Sequence, residues 1–206
     1  MNRTLSRRIF LSLAALGAGA RLADLAAGYT FAGPAHAAPA RYTLDAARSL
    51  VRFETSFGPD LITGDMPVKA ADLTLDFANV ANCRVLVRLD VAHAKASFPF
   101  AAQAMKGPKV LDSAGYPEIL FKSTSVRRNG DGARVSGDMT IKGVTRPVTL
   151  DAAFYRQKGT VAGDLDHLSI HLTGLVNRSD YGAIGWSDMV ADEVRLDIVA
   201  RIDRTQ

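Results

Sequence analysis

Apolar and polar residues change places at almost every step over most of this sequence. In residues 137–150, Met139 and Ile141 alternate with Asp138 and Thr140. Residues 142–147 (Lys-Gly-Val-Thr-Arg-Pro) interrupt the pattern, and it resumes at Val148, Leu150, Ala152 and Phe154. A period of two sends alternate side chains to opposite faces of an extended chain, so this stretch reads as a β-hairpin with a short basic turn, one face apolar. The glycine supplies positive φ, and the proline cannot donate to a ladder.

The same grammar recurs. Val51, Phe53, Thr55 and Phe57 share a face, as do Leu73, Leu75 and Phe77, then Cys83, Val85, Val87, Leu89 and Val91. Ile119, Phe121 and Ser123, then Leu168, Ile170 and Leu172, and last Val194, Leu196, Ile198, Ala200 and Ile202, complete about eight strands. Asn129-Gly130-Asp131-Gly132, Gly163-Asp164 and Gly58-Pro59-Asp60 supply turns. One interval breaks the rhythm: residues 98–111 hold helix formers up to Gly107-Pro108, which predicts one short helix or helical loop between strands. Strands without interleaved helices exclude a doubly wound sheet and leave a closed barrel or a sandwich. The length of the near-continuous strands favours the barrel, at a size that either fills itself with side chains or holds one small ligand.

The first 37 residues follow another logic. Ser6-Arg7-Arg8-Ile9-Phe10-Leu11 precedes an Ala-rich apolar run too short to span a bilayer, and Ala35-His36-Ala37 follows. This is the layout of a cleaved export signal, and the paired arginines resemble the twin-arginine type. Residues 1–37 are thus expected to leave, with cleavage after Ala37 or Ala38, and 38–206 to form a single periplasmic or secreted domain. The remainder carries 21 basic and 20 acidic residues. Such a balance offers no electrostatic footprint for nucleic acid or an anionic membrane. Stable membrane insertion is not expected; a homodimer stays open. Cys83 is the sole cysteine, so an internal disulfide is excluded, and its place among inward valines reads as a buried, inert thiol.

Catalytic patterns are sparse. There is no G-x-S-x-G elbow and no phosphate-binding glycine loop before a helix. His167 and His171 stand four apart on a strand, about 13 Å, too far to share a metal ion. His93 reads as a loop residue. Asp60, Asp65, Asp112 and Glu118 lie near turns, and solvated surface carboxylates are their ordinary reading. Neither catalytic residues, nor a metal, nor a cofactor is expected. Trp186, in the glycine-bearing loop 180–187, either closes a barrel mouth or packs over its end.

Four stretches carry a family resemblance. They are Tyr42-Thr-Leu-Asp45 with Ser49-Leu-Val-Arg-Phe53, Tyr116-Pro-Glu-Ile-Leu-Phe-Lys-Ser123, Gly137-Asp-Met-Thr-Ile-Lys-Gly-Val-Thr-Arg-Pro-Val148, and Asn177-Arg-Ser-Asp-Tyr-Gly182. Together they resemble the YceI family of secreted lipocalin-like proteins, from about residue 42 to the end. The resemblance implies an extended closed antiparallel barrel whose lumen binds a long apolar molecule, such as a polyisoprenoid, an isoprenoid quinone or a fatty-acid amide, for transport or storage. A polyprenyl tail gains about 0.8 kcal/mol per buried methylene, so apolar inward faces suit such a cargo. A barrel packed solid, acting as a stress-linked interaction module, and an enzyme using the same cavity are the alternatives.

On this reading Phe53, Phe57, Val85, Val87, Leu89, Phe121, Met139, Ile141, Phe154 and Ile170 line the lumen, and Phe98, Phe100 and Met105 form its lid. Arg178 and Asp180 pin the closing loop by a charge-assisted hydrogen bond. Arg146 is a turn residue, not a headgroup anchor. Two stretches depart from the family pattern: residues 54–58 read ETSFG where a histidine is common, and residues 104–112 replace an acidic, Phe-rich segment.

Overall fold

The computed structural model describes residues 38–161 and 163–205; the expected export signal lies outside them. The strands are β1 (Ala40–Leu44), β2 (Leu50–Phe57), β3 (Asp60–Asp65), β4 (Val68–Leu75), β5 (Arg84–Asp90), β6 (Lys95–Ala96), β7 (Glu118–Asn129), β8 (Gly132–Ile141), β9 (Val144–Arg156), β10 (His167–Asn177) and β11 (Glu193–Arg204), with helix α1 (Pro99–Lys106) between β6 and β7. These segments reduce to eight staves. Both β1 and β2 pair with β11, β3 and β4 pair with β2 and β1, and β6 and β5 pair in turn with β3 and β4. Three staves are therefore each broken once, and β7 to β11 are the other five. Every stave is antiparallel to the next in sequence, and β11 returns to the first, with Ile202 opposite Leu44 and Leu196 opposite Phe53. The sheet closes through β1 and β11 as an up-and-down barrel, as the alternation predicts, and only the two-residue β6 keeps an unpaired edge among the described strands.

The breaks have local causes. Between β1 and β2, the Asp45 carboxylate accepts the backbone N–H groups of Ala47 and Arg48, each at 3.1 Å, and bends the chain. Between β3 and β4 stand only Met66 and Pro67. Irregular pairing at Val68/Ala70 then shifts the phase, so that Ile62, Met66 and Val68 face in before it, and Leu73 and Leu75 after it. The shift at Ser123/Ser125 in β7 does the same, from Phe121 to Val126.

The β8–β9 turn is tighter than the sequence suggests. It consists of Lys142 (φ 50°) and Gly143 (φ 76°) alone, a left-handed pair suited to the barrel's twist. Val144 already belongs to β9, and Thr140 and Thr145 share a 2.8 Å hydroxyl contact. Arg146 and Pro147 are thus strand residues, opposite Met139 and Asp138. Pro147 is tolerated because it occupies a non-hydrogen-bonded pair with β8, and the β9–β10 ladder begins only at Leu150. The helix is likewise shorter than residues 98–111. It starts on Pro99, needs no N–H there, and ends at Gly107, after which residues 107–117 form turns.

Two glycines set the shape of the lumen wall. Gly64 lies opposite Phe53 on the neighbouring strand, and a β-carbon there would collide with the Phe53 ring and the Lys95 carbonyl. A β-carbon at Gly137 would come within 2.6 Å of both the Phe121 ring and the Lys122 carbonyl. Each phenyl ring therefore lies flat over a bare stretch of sheet and leaves the lumen open. Gly64→Ala is expected to destabilise the fold by about 3 kcal/mol, because a backbone oxygen cannot step aside as a side-chain tip can. Thermal unfolding measures this, and an unchanged midpoint would contradict the flat packing.

Candidate ligand-binding site

The inward faces of the eight staves do not meet. They enclose an almost wholly apolar cavity of about 430 Å³, within the range of about 300–1,000 Å³ typical of small-molecule sites. Its walls include Phe53 and Phe57 from β2, Val85, Val87 and Leu89 from β5, and Phe121 from β7. Met139 and Ile141 from β8, Phe154 from β9 and Ile170 from β10 continue the wall. Val194, Leu196 and Ile198 of β11 complete it; their alternation marked them as an apolar face, though not as lumen residues.

One end has an aromatic floor. Tyr42 and Phe77 meet edge to face at 6.0 Å between centroids, and Phe77 and Phe154 at 5.8 Å. The Tyr42 hydroxyl donates to the Leu165 carbonyl at 2.9 Å and ties the floor to the loop before β10. The opposite end is roofed by α1 and by the loop between β10 and β11. From α1, Phe100, Ala101, Ala104 and Met105 reach the cavity. Phe98 does not, which corrects the expectation that it forms the lid: it precedes the helix in extended conformation and stacks on Phe100 at 6.0 Å instead. Trp186 lines the cavity, with φ of 55°, and so belongs to the mouth.

Arg178 holds this roof, though not through Asp180. Its Nε donates to the Ala191 carbonyl at 2.9 Å, Nη1 to those of Ala183 and Gly185 at 2.6 and 2.7 Å, and Nη2 to that of Val190 at 2.8 Å. Four carbonyls of one loop thus converge on one planar cation, the geometry a guanidinium serves best. Asp180 is exposed, and among the described residues it makes no bond to Arg178. The carboxylate that closes the loop is Asp192, which accepts from the backbone N–H and hydroxyl of Ser179 at 2.8 and 2.7 Å. Sequence spacing favoured the neighbour two residues away; the partner is set by the fold.

Polar atoms in the lining are few. Ser49 accepts from the Arg201 N–H at 3.0 Å, and Thr55 donates to the Glu193 carbonyl at 2.9 Å. The Tyr181 hydroxyl alone, among the described residues, is a buried side-chain polar atom with no protein partner. Burial, and secondarily the charge on Asp180, raises its pKa, so the group stays neutral. Removing an unpartnered buried hydroxyl costs no hydrogen bond, so Tyr181→Phe is expected to leave stability unchanged or raise it by about 1 kcal/mol. A loss of that size in thermal denaturation would show a partner that matters.

The other singled-out residues lie apart from the cavity or are inert. His93, His167 and His171 pair with Asp90, Asp203 and Asp197 at 2.8, 2.8 and 2.9 Å. The bond to Asp203 raises the His167 pKa. Among the described residues no three His, Cys, Asp or Glu side chains gather as a metal site. Cys83 is buried against the cavity, and burial pushes its thiol pKa up.

The family model of the YceI-like domain matches residues 42–202, the span from β1 to β11. The chain belongs to the YceI family. Among its relatives, a UPF0312 protein of Vibrio parahaemolyticus is 31% identical over 125 residues, covering 59% of this chain and 66% of the relative. Protein YceI of Escherichia coli is 30% identical over 127 residues, covering 61% and 66%. The match thus spans just under two thirds of those proteins' length. Among solved structures, Burkholderia cenocepacia BcnA superimposes with a TM-score of 0.69 at 21% identity, covering 77% of this chain and 99% of that one. A polyisoprenoid binding domain from Saccharophagus degradans gives 0.56 at 16%, covering 81% and 99%. At those identities the likeness speaks for the barrel alone, and it agrees with the closed YceI fold described above.

Proposed function

We propose that this YceI-family protein is an exported carrier that holds a long apolar molecule in its lumen for transport or storage. The observation that carries the reading is the cavity itself: about 430 Å³, walled by aliphatic and aromatic side chains and closed below by an aromatic floor. Such walls select by length and shape, and the cargo class is a polyisoprenoid, an isoprenoid quinone or a fatty-acid amide. The solved relative named as a polyisoprenoid binding domain supports that class. Binding without catalysis fits the lining, where Ser49, Thr55 and Arg178 are engaged with backbone groups. Export to the periplasm or beyond follows from the paired arginines and the A-x-A site in the first 37 residues.

Displacement of a fluorescent apolar probe by prenols of increasing length tests the proposal. Affinity should climb steeply with each added isoprene unit, by up to about 0.8 kcal/mol per buried methylene, and level off once the lumen is full. A response independent of chain length, or a protein that takes up no probe, would contradict it.

A further inference from the structure

Six large apolar side chains stand exposed around the roofed end of the barrel: Leu61, Phe98, Phe100, Ile184, Trp186 and Met189. They come from three segments bonded to one another. The Gly58 N–H donates to the Met189 carbonyl at 3.1 Å, the Ser97 N–H to the Thr63 carbonyl at 2.7 Å, and the Gly185 N–H to the Lys109 carbonyl at 2.9 Å. Phe100, Trp186 and Met189 are at once exposed and part of the cavity wall, so rim and lumen form one continuous apolar surface. Exposed apolar surface of this kind marks an interaction site. Its occupant follows from the cargo: a molecule that fits these walls resides in lipid, and water between rim and bilayer would be a barrier to its passage. A tryptophan at the edge of such a rim suits the headgroup layer, where an amphipathic ring is at home. The charges on the same segments cancel, with Lys106 and Lys109 against Asp60 and Asp188, so the contact is apolar and not electrostatic.

We propose that this rim docks shallowly on a lipid bilayer and sets the mouth of the lumen against the phase from which cargo enters and to which it returns. The inference rests on the carrier reading. No helix among the described residues is long and apolar enough to cross a membrane, and docking requires none.

Trp186 is the only tryptophan in the sequence, so the protein carries its own probe. Addition of phosphatidylcholine vesicles should shift its emission to the blue and expose it to quenching by lipids brominated near the headgroup, equally at low and high salt. Leu61→Ser combined with Ile184→Ser, at two rim positions outside the cavity lining, should weaken vesicle binding about tenfold and leave probe displacement in detergent-free solution unchanged. Unshifted emission from protein that still takes up the apolar probe overturns docking and leaves the carrier reading standing; failure to take up the probe is the separate failure of that reading. Vesicle binding abolished by salt overturns the apolar contact. A shift that grows with protein concentration without vesicles overturns the bilayer in favour of a second copy of the chain.

Discussion

Arg178→Ala should lower the stability of the barrel by about 3 kcal/mol, because one truncation strands four carbonyls that share a half-buried cation. For a domain of this size that is a fall of about 6–12 °C in thermal midpoint. The loop from Ala183 to Ala191 forms the roof beside Trp186, so loosening it should also quicken exchange of a bound apolar probe. Arg178→Lys is expected to recover less than half of the loss, since an ammonium cannot reach carbonyls on both sides of a planar fork. Asp180→Asn, at an exposed position, should stay within about 0.5 kcal/mol of the parent. A melting curve for Arg178→Ala that overlays the parent's would remove the pin from this structure.

Filling the lumen should have the larger effect on binding. Met139 lies on the cavity wall opposite Phe121, and Val87 faces the same space from β5. Met139→Trp and Val87→Phe each add bulk inside a cavity of about 430 Å³. Overpacking of a wall that borders empty space is expected to cost no more than about 1–3 kcal/mol of stability. Binding of a long prenol should fall about 100-fold or more, a loss of about 2.7 kcal/mol. Two variants at separate points guard against one simply failing to fold. Folded variants that bind prenol as the parent does would place the ligand somewhere other than the lumen.

The barrel was legible because its cause is periodic. Each run such as Val85, Val87 and Leu89, or Val194, Leu196 and Ile198, announces an inward face by itself, and closure follows once all the faces must be buried together. Features set by three-dimensional curvature were not legible. The bulges at Val68/Ala70 and Ser123/Ser125 answer to the barrel's bend, which no local pattern encodes, and the local turns at residues 45–49 and 66–67 break staves whose continuation only the paired strands reveal. Pro147 suggested a longer turn because a proline's tolerance depends on where the next ladder begins, a long-range fact. The inward face of α1 is fixed by helical phase, which starts at Pro99, so Phe98 falls outside it. The carboxylate that ties the loop is that of Asp192, bonded to Ser179 13 residues away, where proximity alone points to Asp180 beside Arg178. Nothing in the sequence marks Tyr181 as a site residue, since only packing buries its hydroxyl without a protein partner.

Native mass spectrometry of the protein produced from the full sequence, residues 1–37 included, with organic extraction of what it carries, tests the carrier reading most directly. The expected result is a one-to-one adduct whose extracted component fragments as a polyprenyl or fatty-chain compound, lost in the lumen-filled Met139→Trp variant. A bare protein that also refuses added quinones and prenols would contradict it, and the cavity would then be a space without a cargo.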